Sequence, residues 1–386
     1  MKKMISVAAV VCLILQFAVM PYQEVSAFSE EFRDFVENEL AAEGQRYLST
    51  QMNQIESVLV SCKKDLNIRA DECNKLMAGD PFVVYNEDQN VQEQILYYPV
   101  AVKDTKKVVA VISLMNTTAG WQYCIDTDWA DELNKAHYME SKEDFIFYFS
   151  DKKFVVQKSD SNDQKSKNIL TTQEFDDKSF ESKKQIMKAK MRNWRKIDVE
   201  ENRKDTSRLQ YTPGVTDELG YFYCNIPGAQ GQGNFGLCWA ASAATIINYR
   251  TGSSYTAQNI ADVMGIDYNK GATDSQTASA LRYFDLDYSA FFSTMSFNSI
   301  MTELNIRFPF VVSGNSATRK NGHSVTAYGY RNLSNGNYVM LWDSAINNGQ
   351  GGVTISLYNS SGMTYTSGNT AYTWSRTVKA NHVSYK

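Results

Sequence analysis

Gln232-Gly233-Asn234-Phe235-Gly236-Leu237-Cys238-Trp239-Ala240-Ala241-Ser242-Ala243 sets an amide side chain six residues before a thiol, and the thiol opens an apolar, small-residue segment with the character of a helix. That is a good position for a sulfur nucleophile. The thiolate is the attacking form, and the partial positive charge of a helix N-terminus favours it. The Gln232 amide and the Cys238 backbone N–H can both donate to an oxyanion forming beside the sulfur. Gly231, Gly233 and Gly236 let the preceding chain bend tightly enough to expose it. The competing reading is a buried structural cysteine on a core helix, the usual fate of a free thiol.

A thiol nucleophile needs a base, and the base needs an orienting group. Downstream of Cys238 the histidines are His323 and His382. His323 opens the apolar stretch His323-Ser324-Val325-Thr326-Ala327-Tyr328-Gly329-Tyr330, whereas His382 lies near the C-terminus and is the weaker candidate. Asp343 closes Val339-Met340-Leu341-Trp342-Asp343 and is the expected orienter. Asn347 and Asn348 are alternatives, and Asp343 also suits a plain strand-end turn. Pairing raises a difficulty. A two-residue turn at Asn335-Gly336 would set Asp343 opposite Tyr328, five positions from His323. A wider loop or a bulge between Arg331 and Asn337 is therefore expected.

Working outward, residues 211–386 are rich in Gly, Ser, Asn, Tyr and Thr and poor in charge. Of 39 basic and 43 acidic residues in the chain, 10 and 9 fall from Tyr211 onward. Helices are expected over 237–249, 256–264, 274–284 and 297–304, then strands over 309–313, 323–330, 338–343, 353–358 and 372–378. Helices first and an antiparallel sheet second is an α+β order. Residues 28–182 read as a smaller α+β domain, with a helix across 28–59, strands at 81–85, 95–102 and 108–115, and a hairpin around Asp151-Lys152. Its one histidine, His137, has no nucleophile-and-base constellation around it and reads as a surface or packing residue.

Residues 183–210 form a charged linker. Lys183 to Lys196 carries seven basic residues and no acidic one, which suits a solvated segment open to proteolytic clipping. Residues 1–27 read as a secretory signal peptide: Met1-Lys2-Lys3, an apolar run from Ile5 to Met20, and Val25-Ser26-Ala27 as cleavage site. No second run is long enough to span a bilayer, so a secreted protein with no membrane contact after signal removal is expected. Cys62, Cys73, Cys124, Cys224 and Cys238 follow the signal segment. That odd number fits one thiol kept free for chemistry. Four others could form two bridges, Cys62 with Cys73 being the most local, or none. A net charge of −4 points away from nucleic-acid binding. Three histidines and scattered cysteines make no zinc-type cluster, so no metal or cofactor is expected.

The stretch around Cys238 resembles the active-site motif of papain-like cysteine proteases, which read Gln-Gly, a Gly-containing turn, and Cys-Trp-Ala with a small-residue helix. The resemblance extends to a histidine before a short Gly-containing strand. It implies a nucleophile helix packed on a barrel-like antiparallel sheet, Cys238 as nucleophile, His323 as base, Asp343 as orienter and Gln232 at the oxyanion. The family more often has Asn followed by Ser-Trp or Pro-Trp where this chain has Asp343-Ser344-Ala345; bacterial branches such as the double-glycine leader peptidases use Asp. The missing Trp removes one shield from the His–Asp pair. The layout of signal peptide, long pro-region and compact C-terminal domain is similar to the staphopains, secreted bacterial zymogens. It implies protein or peptide substrates, with the chain's own pro-domain or a proteinaceous inhibitor as partner. Rival functions are a peptidoglycan amidase or an acyltransferase on the same scaffold, and a secreted binding or adhesion protein without catalysis.

Overall fold

The computed structural model describes residues 41–86, 95–117, 120–141, 145–150, 153–158, 221–226, 228–333, 336–360 and 362–382. The expected signal peptide, charged linker and first part of the N-terminal helix lie outside these residues. In chain order the elements are α1 (Ala41–Ser61), β1 (Leu76–Ala78), β2 (Tyr85–Asn86), β3 (Ile95–Val102), β4 (Val108–Thr117), β5 (Gly120–Asp126), α2 (Ala130–Lys135), β6 (Phe145–Ser150), β7 (Lys153–Lys158) and β8 (Tyr221–Tyr223). There follow α3 (Cys238–Thr251), α4 (Ala257–Met264), α5 (Asp274–Tyr283), β9 (Tyr288–Phe291), α6 (Phe297–Asn305), β10 (Phe310–Asn315), β11 (His323–Leu333), β12 (Gly336–Asp343), β13 (Gly352–Asn359), β14 (Gly362–Ser367) and β15 (Thr370–Ala380).

Strands β10 to β15 close into a six-stranded antiparallel barrel, in the order β10-β11-β12-β13-β14-β15 and back to β10. Helices α3 to α6 precede this barrel and α3 packs against it, as the α+β order predicts, and one further short helix, Ile346–Gly349, lies between β12 and β13. Helix α3 is buried from Trp239 to Asn248, because Ala240, Ala241, Ala243 and Ala244 present no bulk in any direction. Such a helix can lie close on a sheet. Ser242 Oγ donates to the Ser324 carbonyl at 3.3 Å, and Thr326 Oγ1 donates to the Ser242 carbonyl at 3.5 Å. Thr256 and Thr273 cap α4 and α5 with reciprocal capping boxes, which fix where those two helices begin.

The N-terminal region does not stand apart from the barrel. Strand β5 pairs with β13 (Thr354↔Asp126, Ile355↔Ile125, Ser356↔Cys124), so a single sheet runs from β1 through β3, β4 and β5 into the barrel. Where β5 lies, β14 is held away from β13; those two strands pair only at Tyr358↔Met363 and Asn359↔Gly362. One hydrophobic core spans both regions. Leu48, Met52, Ile55, Val58 and Leu59 on one face of α1 share it with Val325, Tyr338, Leu341 and Ile355 of the barrel. Burial of each such side chain contributes about 1.5–3 kcal/mol. Arg331 of β11 is fully buried against the end of α1, donating to the Ser61 carbonyl at 3.3 Å. A cation there also complements the negative end of the helix.

Several expectations need correction. The expected strand at 81–85 is a single bridge, Phe82↔Tyr97, followed by the two-residue β2. Strands β1, β5, β8, β9 and β14 and helix α2 were not foreseen. The hairpin β11–β12 pairs regularly from Arg331↔Tyr338 to Leu333↔Gly336, with no bulge in the expected interval. The bulge falls deeper, between Ala327 and Gly329. Gly329 is required there: a Cβ would stand 2.7 Å from Tyr223 Cβ and 2.9 Å from the Phe222 carbonyl. The Tyr328 carbonyl in the bulge accepts from the Cys224 N–H at 2.7 Å.

Candidate active site

The bulge decides which side chains meet. Without it, the register Leu333↔Gly336 would carry Asp343 opposite Thr326, on the other face from His323. The extra residue shifts the pairing to Thr326↔Trp342, and one step further sets Asp343 across from Val325. Val325 shares a face with His323, so Asp343 reaches His323 diagonally. His323 Nε2 and Asp343 Oδ1 are 2.7 Å apart. Asp343 is fully buried and His323 nearly so.

With Nε2 engaged, the other ring nitrogen is left for Cys238, with which the imidazole also hydrogen-bonds. Cys238 is the first residue of α3. Its backbone N–H therefore has no acceptor within the helix. Burial resists ionisation of this thiol, but the hydrogen bond and charge of His323 and a backbone hydrogen bond from Ser324 outweigh it, and its pKa falls below the ordinary thiol value. For His323, burial opposes the charged form; the charge and hydrogen bond of Asp343, with the Cys238 contact, reverse this and raise its pKa well above the usual value.

The other thiols behave oppositely. All five described cysteines are free, so the local Cys62–Cys73 bridge is not formed. Burial raises the pKa of Cys62 and Cys73, and pushes Cys124 to about 12 and Cys224 to about 11. Cys238 alone among them is shifted toward the thiolate.

Gln232 is held from both ends of its amide. Oε1 accepts from the Ser344 hydroxyl at 3.0 Å, and Nε2 donates to the Phe235 carbonyl at 2.8 Å, leaving one amide hydrogen for another acceptor. Its backbone is tied to the loop after Asp343: Gln232 N–H donates to the Ser344 carbonyl at 3.0 Å and Gly233 N–H to the Gly349 carbonyl at 2.9 Å. Trp342 Nε1 donates to the Gln230 carbonyl at 2.9 Å, fastening the same segment. Ser344 was not foreseen as part of the site, although its position next to Asp343 was a signal for it.

Two tyrosines cover the pair that lacks a tryptophan shield. The Tyr372 ring centroid lies 5.2 Å from that of His323 and the Tyr365 centroid 6.2 Å, and the Tyr365 hydroxyl donates to the His323 carbonyl at 2.8 Å. Gly314 makes room for them, since a Cβ there would meet Tyr372 Cβ at 2.8 Å and Tyr365 Oη at 2.9 Å.

The alternative orienters are engaged elsewhere. Asn347 and Asn348 have φ of 53° and 56°, a left-handed conformation that asparagine tolerates better than most residues. The Asn347 side-chain amide donates to Thr127 Oγ1 and the Gly351 carbonyl, and that of Asn348 to Glu132 Oε1. His382 hydrogen-bonds Glu303 at 2.6 Å, and His137 is exposed beside Glu140. Among the described residues no group of three or more His, Cys, Asp or Glu is arranged to hold a metal ion, and no helix is long and apolar enough to cross a membrane.

Residues 225–376 match the model of the Peptidase_C39 like family. This span contains Gln232, Cys238, His323, Asp343 and the barrel as far as Arg376. At the family level the match supports a cysteine peptidase. No curated protein matches the chain. Among solved structures, a digestive procathepsin L 3 from the larval midgut of Tenebrio molitor is similar over 44% of this chain and 73% of its own length, at 13% identity and a TM-score of 0.29.

Proposed function

We propose that the chain is a secreted bacterial cysteine endopeptidase made as a zymogen. The observation that carries this reading is the thiol that, alone among the described cysteines, is shifted toward its anion, at the start of α3 and against His323, with Asp343 2.7 Å from the far side of the ring. In this proposal the Cys238 thiolate attacks the scissile carbonyl carbon. The carbonyl π electrons move onto oxygen, where the Cys238 N–H and the remaining Gln232 amide hydrogen donate to it. Each such donor is typically worth about 10²–10³-fold in rate. The tetrahedral adduct collapses, the C–N bond breaks, and His323 gives its proton to the departing amine. Water then loses a proton to His323, attacks the thioester and releases the acid and the thiolate. Proton transfer of this kind contributes about 10²–10⁴-fold. Asp343 keeps the ring oriented and favours its charged form.

Residues 28–182 serve as the pro-domain, and cleavage within 183–210 separates it covalently from the catalytic region. Substrates are proteins or peptides, and no cofactor takes part. The test is a time course of the purified chain under mild reducing conditions beside Cys238→Ala, read by intact mass with an epoxysuccinyl thiol probe and casein. Conversion to a fragment beginning between about Lys183 and Asp217, with the probe on Cys238, is expected. A wild-type chain that neither takes up the probe at Cys238 nor cuts casein, before or after nicking by an added protease, overturns the reading.

A further inference from the structure

Strand β5 occupies the barrel seam, and the turn after it grips the loop that follows Asp343. Asp128 Oδ1 accepts from the Asn347 backbone N–H at 3.0 Å, and Asp126 Oδ1 accepts from the Asp128 N–H at 3.0 Å. Thr366 of β14 donates to Asp126 Oδ2 at 3.5 Å across the gap that β5 holds open. Both carboxyls are buried, at 3% and 7% exposure. The ionisable groups that act on them most strongly are carboxyls, with a thiol beside Asp126. Cys124 stands beside Asp126 on β5, Glu132 approaches Asp128 from α2, and Asp343 faces both from β12. The imidazole of His323 lies beyond Asp343, hydrogen-bonded to its other side.

We propose that Asp126 and Asp128 form a proton-loaded latch: the N-terminal region holds the barrel seam and the 344–351 loop while these carboxyls carry protons, and loosens as they ionise on alkalinisation. This goes beyond the peptidase reading and does not depend on it. Burial, with the neighbouring carboxylates, raises Asp126 well above the usual carboxyl value and Asp128 to about 7. A free aspartate titrates near ~3.9. Between those values the docked state binds protons that the released state does not, so docking is strongest in acid and weakens as pH rises. Each carboxyl contributes up to about tenfold per pH unit within its window. Once both are ionised, pH has no further effect through them. The loop they grip also supplies the Ser344 and Gly349 carbonyls that hold Gln232 and Gly233, so release would slacken both together.

The test uses the full chain with Cys238→Ala, which removes self-cleavage and makes the outcome independent of catalysis. Hydrogen exchange is followed from pH 5.5 to 8.0 and corrected for the intrinsic rate. Protection of 120–126 and 346–357 is expected to fall at least about tenfold relative to 311–313 and 325–327. In Asp128→Asn, and more completely in Asp126→Asn/Asp128→Asn, that pH dependence should disappear. Asparagine keeps a carbonyl acceptor for the Asn347 and Asp128 amides. Uniform protection across the pH range, or the same fall in the double variant, overturns the latch. If the double variant does not fold, the single variant decides.

Discussion

The molecule holds two histidine–carboxylate pairs of nearly equal length. His323 lies 2.7 Å from Asp343 and His382 lies 2.6 Å from Glu303. They differ in what else is present. Asp343 has one cationic partner, both members are shut away from water, and Cys238 stands on the free side of the ring. Glu303 is shared with Lys379 at 2.9 Å, His382 is about one-third exposed, and its ring packs edge-on against Phe308. A carboxylate beside a histidine is thus common to a reactive arrangement and to a structural clasp. The thiol in reach, and an anion not already shared with a lysine, separate the two.

The largest effect expected from breaking this comparison is at Cys238 and its proposed base, His323. Cys238→Ala and His323→Ala should each lower peptide hydrolysis by about 10⁴-fold or more, because members of such a unit act together. His382→Ala should leave kcat/KM within about twofold. Initial rates on a fluorogenic peptide, after the three proteins are shown to melt alike, measure both. Comparable losses at His323 and His382 would erase the distinction.

Next in size is Asp343, the proposed orienting group. Asp343→Ala removes both the hydrogen bond and the charge, and a loss of about 10²–10³-fold is expected. Asp343→Asn keeps a hydrogen-bonding partner for the ring without the charge, and about tenfold should be lost. Its pH profile is the sharper readout. The Asp343 carboxylate raises the pKa of His323, so removing its charge lowers that pKa. The alkaline limb of thiol-probe inactivation should therefore move to lower pH in Asp343→Asn. An unmoved alkaline limb would mean that Asp343 does not set the charge state of His323.

Much of this site was legible in the sequence because its elements are local. Cys238 begins a helix of alanines that can only be buried, and His323 and Asp343 stand at strand ends marked by apolar runs. The facing of His323 and Asp343 was expected, but the place of the one-residue bulge it depends on, Ala327–Gly329 instead of the 331–337 interval, was not legible. That bulge is matched to β8, a neighbour remote in the chain. The continuity of the sheet was missed for a similar reason. Strand β5, Gly120-Trp121-Gln122-Tyr123-Cys124-Ile125-Asp126, mixes polar and apolar residues because one end is solvent-facing and the other is sunk in the barrel seam. Its buried Asp126, and Asp128 in the turn after it, make sense only beside β13, β14 and the loop after Asp343. Gly329→Val tests the bulge. A side chain there meets Tyr223 and the Phe222 carbonyl, which should cost ~1–3 kcal/mol of stability. Activity should fall further than the melt accounts for, since any shift in pairing turns Asp343 away from His323. A variant that melts lower but keeps full activity per folded molecule would show that the bulge does not govern the pair.

The smallest effect belongs to the clasp. His382 is partly exposed and Lys379 already neutralises Glu303, so losing the imidazole leaves the buried carboxylate with a cation. His382→Ala should lower stability by only ~0–1 kcal/mol, in line with partly solvated ion pairs. Glu303→Gln should have a somewhat larger effect, because it removes the anion that the Lys379 ammonium and the His382 ring both approach. A urea melt of each variant, with the double variant to close the cycle, measures the coupling. Strong coupling together with unchanged hydrolysis fits a clasp that fastens the C-terminal end against α6. If His382→Ala instead changes hydrolysis with no change in the melt, the second histidine reaches the site by a route other than the contacts it makes with Glu303 and Phe308.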